Sequence, residues 1–220
     1  MALDADGLRK VVEGFRGSPL FPIVATAALT GARRNEILAL RWTDFDPVNK
    51  SLRIERAVEE TKAGLTFKAP KTKRGTRNIA IDDELVALLT AEREKYLRLV
   101  AGVPDSATVD LSLVRLPEGA LIFPSPAGDK FDFTRLRDPH AVTRGFVKHA
   151  RRLGLKGLRF HDLRGAHETA LLDAGVPVHT VAARCGHSPA VLLENYAKHT
   201  RKADRSAAAV IGSLSKGILG

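Results

Sequence analysis

A single cysteine, Cys185, occurs in 220 residues. No intrachain disulfide is possible, and the usage fits a reducing compartment, so a cytoplasmic protein is expected. Aromatic residues are scarce at 5%, with one tryptophan and two tyrosines. The core must therefore be aliphatic. No apolar run approaches the ~20 residues that span a bilayer, and the opening MALDADGLRK lacks the apolar centre of a secretory signal. No membrane partner is expected. Cys-x-x-Cys is absent, and with it a common zinc signature. A glycine-rich phosphate loop for ATP is absent too.

Positive charge is what the chain has in excess. Lys and Arg number 35 against 25 Asp and Glu, a formal net charge of +10. Such an excess suits a polyanionic partner, nucleic acid before membrane; the plainer reading is solubility. Hydrophobic residues at 44% are enough for a packed core and argue against disorder. The length fits one large domain or two small ones.

Local patterns give an order of elements. Ser18-Pro19 reads as N-cap and first helical residue. The helix it opens runs through LFPIVATAAL, with Pro22 in its first turn, and stops near Gly31. RRNEILAL follows as a short helix with Ile37, Leu38 and Leu40 on its apolar face. SLRIERAV, LTFK and RNIAI alternate with period two, the last after the turn-like KTKRGT. Three short antiparallel strands are predicted. Asp82-Asp83 cap a long amphipathic helix, ELVALLTAEREKYLRLV, on which Tyr96 is a packing residue. Residues 102–119 read as loop and LIFPS as a short buried strand. Helices are predicted over about 134–153, 162–174, 177–185, 189–199 and 202–214. The fold class is mainly α (α+β), with a small three-stranded antiparallel sheet near the front.

Four segments carry chemistry: TGARRNEILALRW (30–42), PKTKRGTRNIAI (70–81), FHDLRGAHET (160–169) and RCGHSPAVLLENYAKH (184–199). Singly, each has an ordinary explanation. Arg33 is a solvated helix charge, Lys71 and Lys73 solubilise a turn, and His161 and Arg164 are a surface pair one helical turn apart. His187 caps a helix after Gly186, and Tyr196 packs at the core edge with its hydroxyl wet. Zinc is another reading, since His161, His167, Cys185 and His187 are possible ligands, but their spacings match no ligand pattern.

Together the four point to chemistry on a phosphate. Two arginines can each fork onto phosphate oxygens. A lysine at a hairpin tip can protonate a leaving oxygen, and histidines can donate hydrogen bonds or pass protons. A tyrosine can attack phosphorus, but its ordinary pKa near 10 calls for cationic neighbours or a base. The set has no acidic pair or cluster for Mg²⁺, so a fixed cationic clamp would stabilise the pentacoordinate phosphorane. No metal and no cofactor are expected.

These segments resemble the catalytic domain of the tyrosine recombinases, the phage integrase family. TGARRNEILALRW is similar to that family's first arginine box, FHDLRG to its His-x-x-Arg box, and GHSPAVLLENYAKH to its Gly-His box followed by the nucleophilic tyrosine. The likeness runs in order over roughly residues 7–205. It implies that Arg33 and Arg164 bind the scissile phosphate and that Lys71 protonates the leaving 5′-hydroxyl. His161 would do acid–base or hydrogen-bonding work, and His187 would donate to a non-bridging oxygen. Tyr196 would form a 3′-phosphotyrosine link, and Glu36 would support the site from behind. Lys73, Arg74 and Arg77 on the basic hairpin are expected to contact DNA. Two positions depart from the pattern: Gly165 follows the arginine where many members have histidine, and Leu193 stands where threonine is frequent. Neither carries an assigned role.

The resemblance implies a site-specific DNA recombinase whose partner is double-stranded DNA at recombination sites, with self-association into a tetrameric synapse and neither metal nor ATP. A bacterial or phage-encoded, nucleoid-associated protein is expected. Residues 1–220 read as one catalytic domain without the N-terminal core-binding domain usual in the family, with 203–220 as a tail helix that packs in cis or on a neighbour. Two other readings stand beside it. One is a non-enzymatic helix–turn–helix DNA binder, from the rhythm of LLDAGVPVHTVAARCGHSPAVLLENYAKH; it requires neither Arg33 nor Lys71. The other is a type IB topoisomerase, against which the GHS box and the compact size argue.

Overall fold

In the computed structural model the described residues are 3–69, 75–126 and 131–197, without the side chains of Asn195 and Ala197. Helix α1 (Ala5–Gly14) starts on Asp4, whose carboxylate accepts from Gly7 N at 2.8 Å. The helix expected from Ser18 begins later, as α2 (Phe21–Thr30). Ser18 Oγ accepts from Leu20 N at 3.2 Å, closing a turn, and Pro22 takes the first helical turn, where its missing N–H costs nothing. Seven of the ten residues of α2 are buried, as befits a helix apolar on most of its circumference. It ends at Gly31, in the left-handed region at φ 65. Only one turn of RRNEILAL is helical, α3 (Arg34–Ile37).

Five strands follow, in two sheets. β1 (Phe45–Asp46), β2 (Ser51–Ile54) and β5 (Arg77–Ala80) form an antiparallel sheet in the order β1-β2-β5, with Leu52 opposite Ile79. β3 (Ala57–Thr61) and β4 (Gly64–Lys68) form a separate hairpin. The single strand expected over SLRIERAV thus divides at Glu55-Arg56, where Arg56 turns in to the buried Asp44 at 2.5 Å. Leu52, Ile54 and Val58 are all buried and all on one parity, so the alternation reads straight through the break. LIFPS is buried as expected but contributes one bridge, Leu121 opposite Arg41, rather than a strand in a sheet.

Asp82 caps α4 (Asp83–Ala101) by accepting from Leu85 N at 2.8 Å. Tyr96 packs edge-on against Trp42 and Phe133, as expected. Helix α5 (Pro139–Arg152) is shorter at its start than predicted, because Asp138-Pro139 supplies an N-cap and first residue. Then come α6 (Asp162–Asp173), α7 (Val178–Cys185) and α8 (Pro189–Ala197). The tail helix expected over 202–214 lies outside the described residues.

Helix α6 joins two apolar clusters. Its Leu163 and Ala166 belong to the main core with α2 and α5, and its Leu171 and Leu172 pack on Val181, Ala182 and Leu192 of α7 and α8. Arg164, His167 and Glu168 lie between these two sets, at the seam.

Candidate active site

Three guanidinium groups converge on the end of α7. A helix C-terminus leaves its last carbonyls unpaired and carries partial negative charge. Arg184 O accepts from Arg77 Nε at 2.7 Å, Cys185 O from Arg164 Nη2 at 2.6 Å, and Gly186 O from Arg33 Nη2 at 3.2 Å. Gly186 itself is left-handed at φ 68, and the chain turns there into His187.

Two buried carboxylates offset these charges. Glu36 accepts from Arg33 N at 2.8 Å and Arg33 Nη1 at 2.9 Å on one side, and from Arg77 Nη2 at 2.8 Å on the other. Burial alone would push its carboxyl up; hydrogen bonds and charge from Arg77, then Arg33, hold it below its ordinary value. Glu168 Oε1 lies 3.1 Å from Arg164 Nε and 2.9 Å from His187 Nε2. Arg164 also donates to Gly31 O at 2.6 Å, so it ties α2, α6 and α7 together.

Gly31 is required at that junction. A Cβ there would stand 2.6 Å from His167 Cδ2 and 3.0 Å from Cys185 Sγ, on a backbone at φ 65. Gly31→Ala is expected to destabilise the protein by about 2 kcal/mol or more, from left-handed strain plus overpacking. Chemical denaturation checks it; an unchanged midpoint would mean that the junction is slack.

The zinc reading does not survive this geometry. His167 Nδ1 donates to Ala28 O at 2.8 Å and Nε2 accepts from Arg184 Nε at 3.2 Å, so both ring nitrogens are committed. Burial first, then Arg184, pushes its pKa down to about 4. Burial pushes the Cys185 thiol up to about 11, with Glu168 adding to it. Among the described residues no three His, Cys, Asp or Glu side chains are grouped to hold an ion.

Arg33 and Arg164 line one open cleft of about 500 Å³, together with His161, Arg34 and Arg159. Arg33 is 43% exposed at its side chain and Arg164 3%, so one faces a ligand from the rim and the other from the floor. His161 is exposed at the N-terminus of α6. The walls of the cleft, then the Arg164 charge, lower its pKa, leaving the ring neutral near pH 7.

The structure thus brings together Arg33, Glu36, Arg164 and His187, with His161 on the same cleft. Arg77, expected to contact DNA, is instead 7% exposed and donates to Glu36, Gly75 O and Arg184 O. It holds Glu36 from behind. Lys71, Lys73 and Arg74 lie outside the described residues.

Tyr196 is not among the residues that line this cleft. Its hydroxyl donates to Asp173 Oδ1 at 3.0 Å. Asp173 is nine residues along α6 from Arg164, about 13 Å at 1.5 Å per residue. Burial, then the Asp173 hydrogen bond and charge, raises the tyrosine pKa, opposite to what an attacking phenolate needs.

Four participants were not foreseen. Arg34 and Arg159 line the cleft, Arg34 donating to Thr143 Oγ1 and Arg159 pairing with Asp162 at 2.7 Å. Arg184 ties α7 to Leu29 O and Ala80 O, each at 2.9 Å. Glu168 could have been found from its i,i+4 spacing to Arg164; Arg34, Arg159 and Arg184 had no signal beyond their charge.

Residues 22–203 match the profile of the phage integrase family. The chain is 29% identical over 203 residues to a tyrosine recombinase XerC-like protein of Caldanaerobacter subterraneus subsp. tengcongensis, covering 87% of this chain and 48% of that protein. It is 27% identical over 198 residues to a putative prophage phiRv2 integrase of Mycobacterium tuberculosis, covering 90% of this chain and 47% of the relative. The chain therefore spans about half the length of the curated relatives it matches. Its fold is similar to that of the Tn1549 transposon integrase, solved in complex with transposon right end DNA, at a TM-score of 0.72 and 16% identity over 96% of this chain and 66% of that one.

Proposed function

The chain belongs to the phage integrase family, and from that premise we propose that it cuts and rejoins duplex DNA through a covalent phosphotyrosine, as the catalytic part of a site-specific recombinase. The observation that carries this reading is the convergence of Arg33, Arg164 and His161 on one open cleft, with His187 against Arg164 and with Glu36 and Glu168 behind them. A scissile phosphate seated there would meet Arg33 from the rim and Arg164 from the floor. Its negative charge would replace water against preorganised donors that need no rearrangement at the moment of reaction. His161 would supply a hydrogen bond to a phosphate oxygen, His187 would stand against Arg164 with its Nε2 held by Glu168, and Lys71 would hand a proton to the leaving 5′-oxygen.

Tyr196 is the proposed nucleophile. It must leave Asp173 to attack: its oxygen bonds to phosphorus and its proton passes to His161, while the P–O5′ bond breaks and its electron pair leaves on the 5′-oxygen. The 3′-phosphotyrosine keeps the phosphodiester's bond energy, so a second 5′-hydroxyl can reverse the step without ATP. Arg34 and Arg159, on the same cleft, suit flanking backbone phosphates. Exchange between two duplexes needs two cuts in each, which favours four copies on DNA. Action at bacterial or phage DNA in the cytoplasm fits the +10 charge; no helix among the described residues is long and apolar enough to cross a membrane.

The test is cleavage of a nicked duplex, drawn from a pool of random sequence, in the presence of EDTA. A covalent protein–DNA band of undiminished intensity is expected, because fixed cations do the work of a metal. Loss of the band with EDTA and its return with a divalent ion would overturn the reading.

A further inference from the structure

Glu168 touches the buried Arg164 of the proposed phosphate cleft and the partly buried His187 beside it, through one atom. Its Oε1 lies 3.1 Å from Arg164 Nε and 2.9 Å from His187 Nε2. Helix stability does not explain it. Arg164 precedes Glu168 by four residues on α6, the weaker order for such a pair, and a carboxylate in mid-helix gains nothing from a dipole that acts at the ends. Nor does core packing: the side chain is 8% exposed, and an apolar residue of similar volume is often as stable in such a place. Burial would push its carboxyl up, yet the His187 hydrogen bond and the Arg164 charge hold it below its ordinary value. It is an anion there.

His187 Nε2 has a second neighbour, Arg164 Nη2 at 2.5 Å. One ring nitrogen cannot serve both. With a proton on Nε2 it donates to Glu168; without one it accepts from Arg164. Resting on the DNA-cleaving reading above, we infer that Glu168 is a positioning residue which decides this competition: its Oε1 keeps the proton of neutral His187 on Nε2 and holds the ring and the Arg164 guanidinium in one fixed relation for the phosphate. Without the carboxylate, His187 accepts from Arg164 through Nε2 and its proton moves to Nδ1. The Arg164 Nη2–H is then spent on the ring rather than on the phosphate.

Two measurements test this, one independent of cleavage. Long-range ¹H–¹⁵N NMR of the full chain at about pH 8, above the ordinary histidine pKa, reads which ring nitrogen of His187 carries the proton. Nε2–H is expected in the wild type, Nδ1–H in Glu168→Ala, and Nε2–H again in Glu168→Gln, which retains an acceptor oxygen. In single-turnover cleavage of nicked DNA, Glu168→Ala is expected to slow the reaction by about 10- to 100-fold, as for other residues that orient a ligand. DNA affinity should change far less. In a His187→Ala background Glu168→Ala should cost clearly less than it does in the wild type, the remainder being its own contact with Arg164. If the alanine variant does not fold, Glu168→Leu, of similar volume, replaces it. An Nδ1–H ring in the wild type, an unchanged tautomer in the alanine variant, or losses that multiply in the double variant would each overturn the inference. If the wild type cuts no DNA, the DNA-cleaving reading fails while the tautomer still decides whether Glu168 sets His187.

Discussion

Tyr196→Phe is expected to abolish the covalent adduct with DNA while leaving fold and DNA affinity near those of the wild type. Only the hydroxyl oxygen is removed, and its hydrogen bond to Asp173 is an exposed one, the kind that contributes about 1 kcal/mol or less. Stability should therefore barely move. Attack on phosphorus, by contrast, has no substitute oxygen in that position. Denaturing gel electrophoresis after incubation with nicked DNA reads the adduct, and a filter-binding titration reads affinity. A phenylalanine variant that still links to DNA would show that another residue attacks. The Asp173 contact adds a consequence: the proposed nucleophile donates its proton to a carboxylate on α6, so attack on DNA would require that bond to break.

Arg164→Lys is expected to lower cleavage by on the order of 10²–10³ or more, as for loss of other preorganised charge stabilisers. The guanidinium donates to Gly31 O and Cys185 O, pairs with Glu168, and abuts His187. An ammonium on a flexible stem cannot make that planar set. Part of the loss would be structural, because two carbonyls and a carboxylate lose their partner in a buried place. Arg33→Lys separates the two effects, since Arg33 is 43% exposed and its loss leaves no buried carbonyl without a donor at the core. Cleavage should fall steeply in both, but the thermal midpoint chiefly in Arg164→Lys. Near-wild-type cleavage by Arg164→Lys would sink the bidentate reading.

Much of the fold was legible because its signals are local. Gly31, Asp82 and Gly186 each mark a helix end by a backbone or capping requirement that one residue type meets. The division of SLRIERAV was hidden because Val58 continues the parity of Leu52 and Ile54 across it. Helix α5 starts later than the expected 134 because Asp138-Pro139 supplies the N-cap and first residue. At the site, Arg33, Glu36, Arg164 and His187 were legible as motif residues. The means of their convergence was not: the carbonyls of Arg184, Cys185 and Gly186 have no side-chain signature, and they are what gathers Arg77, Arg164 and Arg33. The same applies to Arg77, which reads as one more charge on a basic hairpin and proves to be buried against Glu36.

The most direct measurement is the identity of the covalent bond itself. Nicked duplexes from a random-sequence pool are incubated with the chain, the protein–DNA adducts are isolated under denaturing conditions, and the product is digested and mapped by mass spectrometry. The expected result is one modified peptide, with nucleotide joined to the Tyr196 oxygen through a 3′-phosphate and a free 5′-hydroxyl on the released strand. A nucleotide on any other residue, or a tyrosine joined to a 5′-phosphate, would contradict the proposed chemistry.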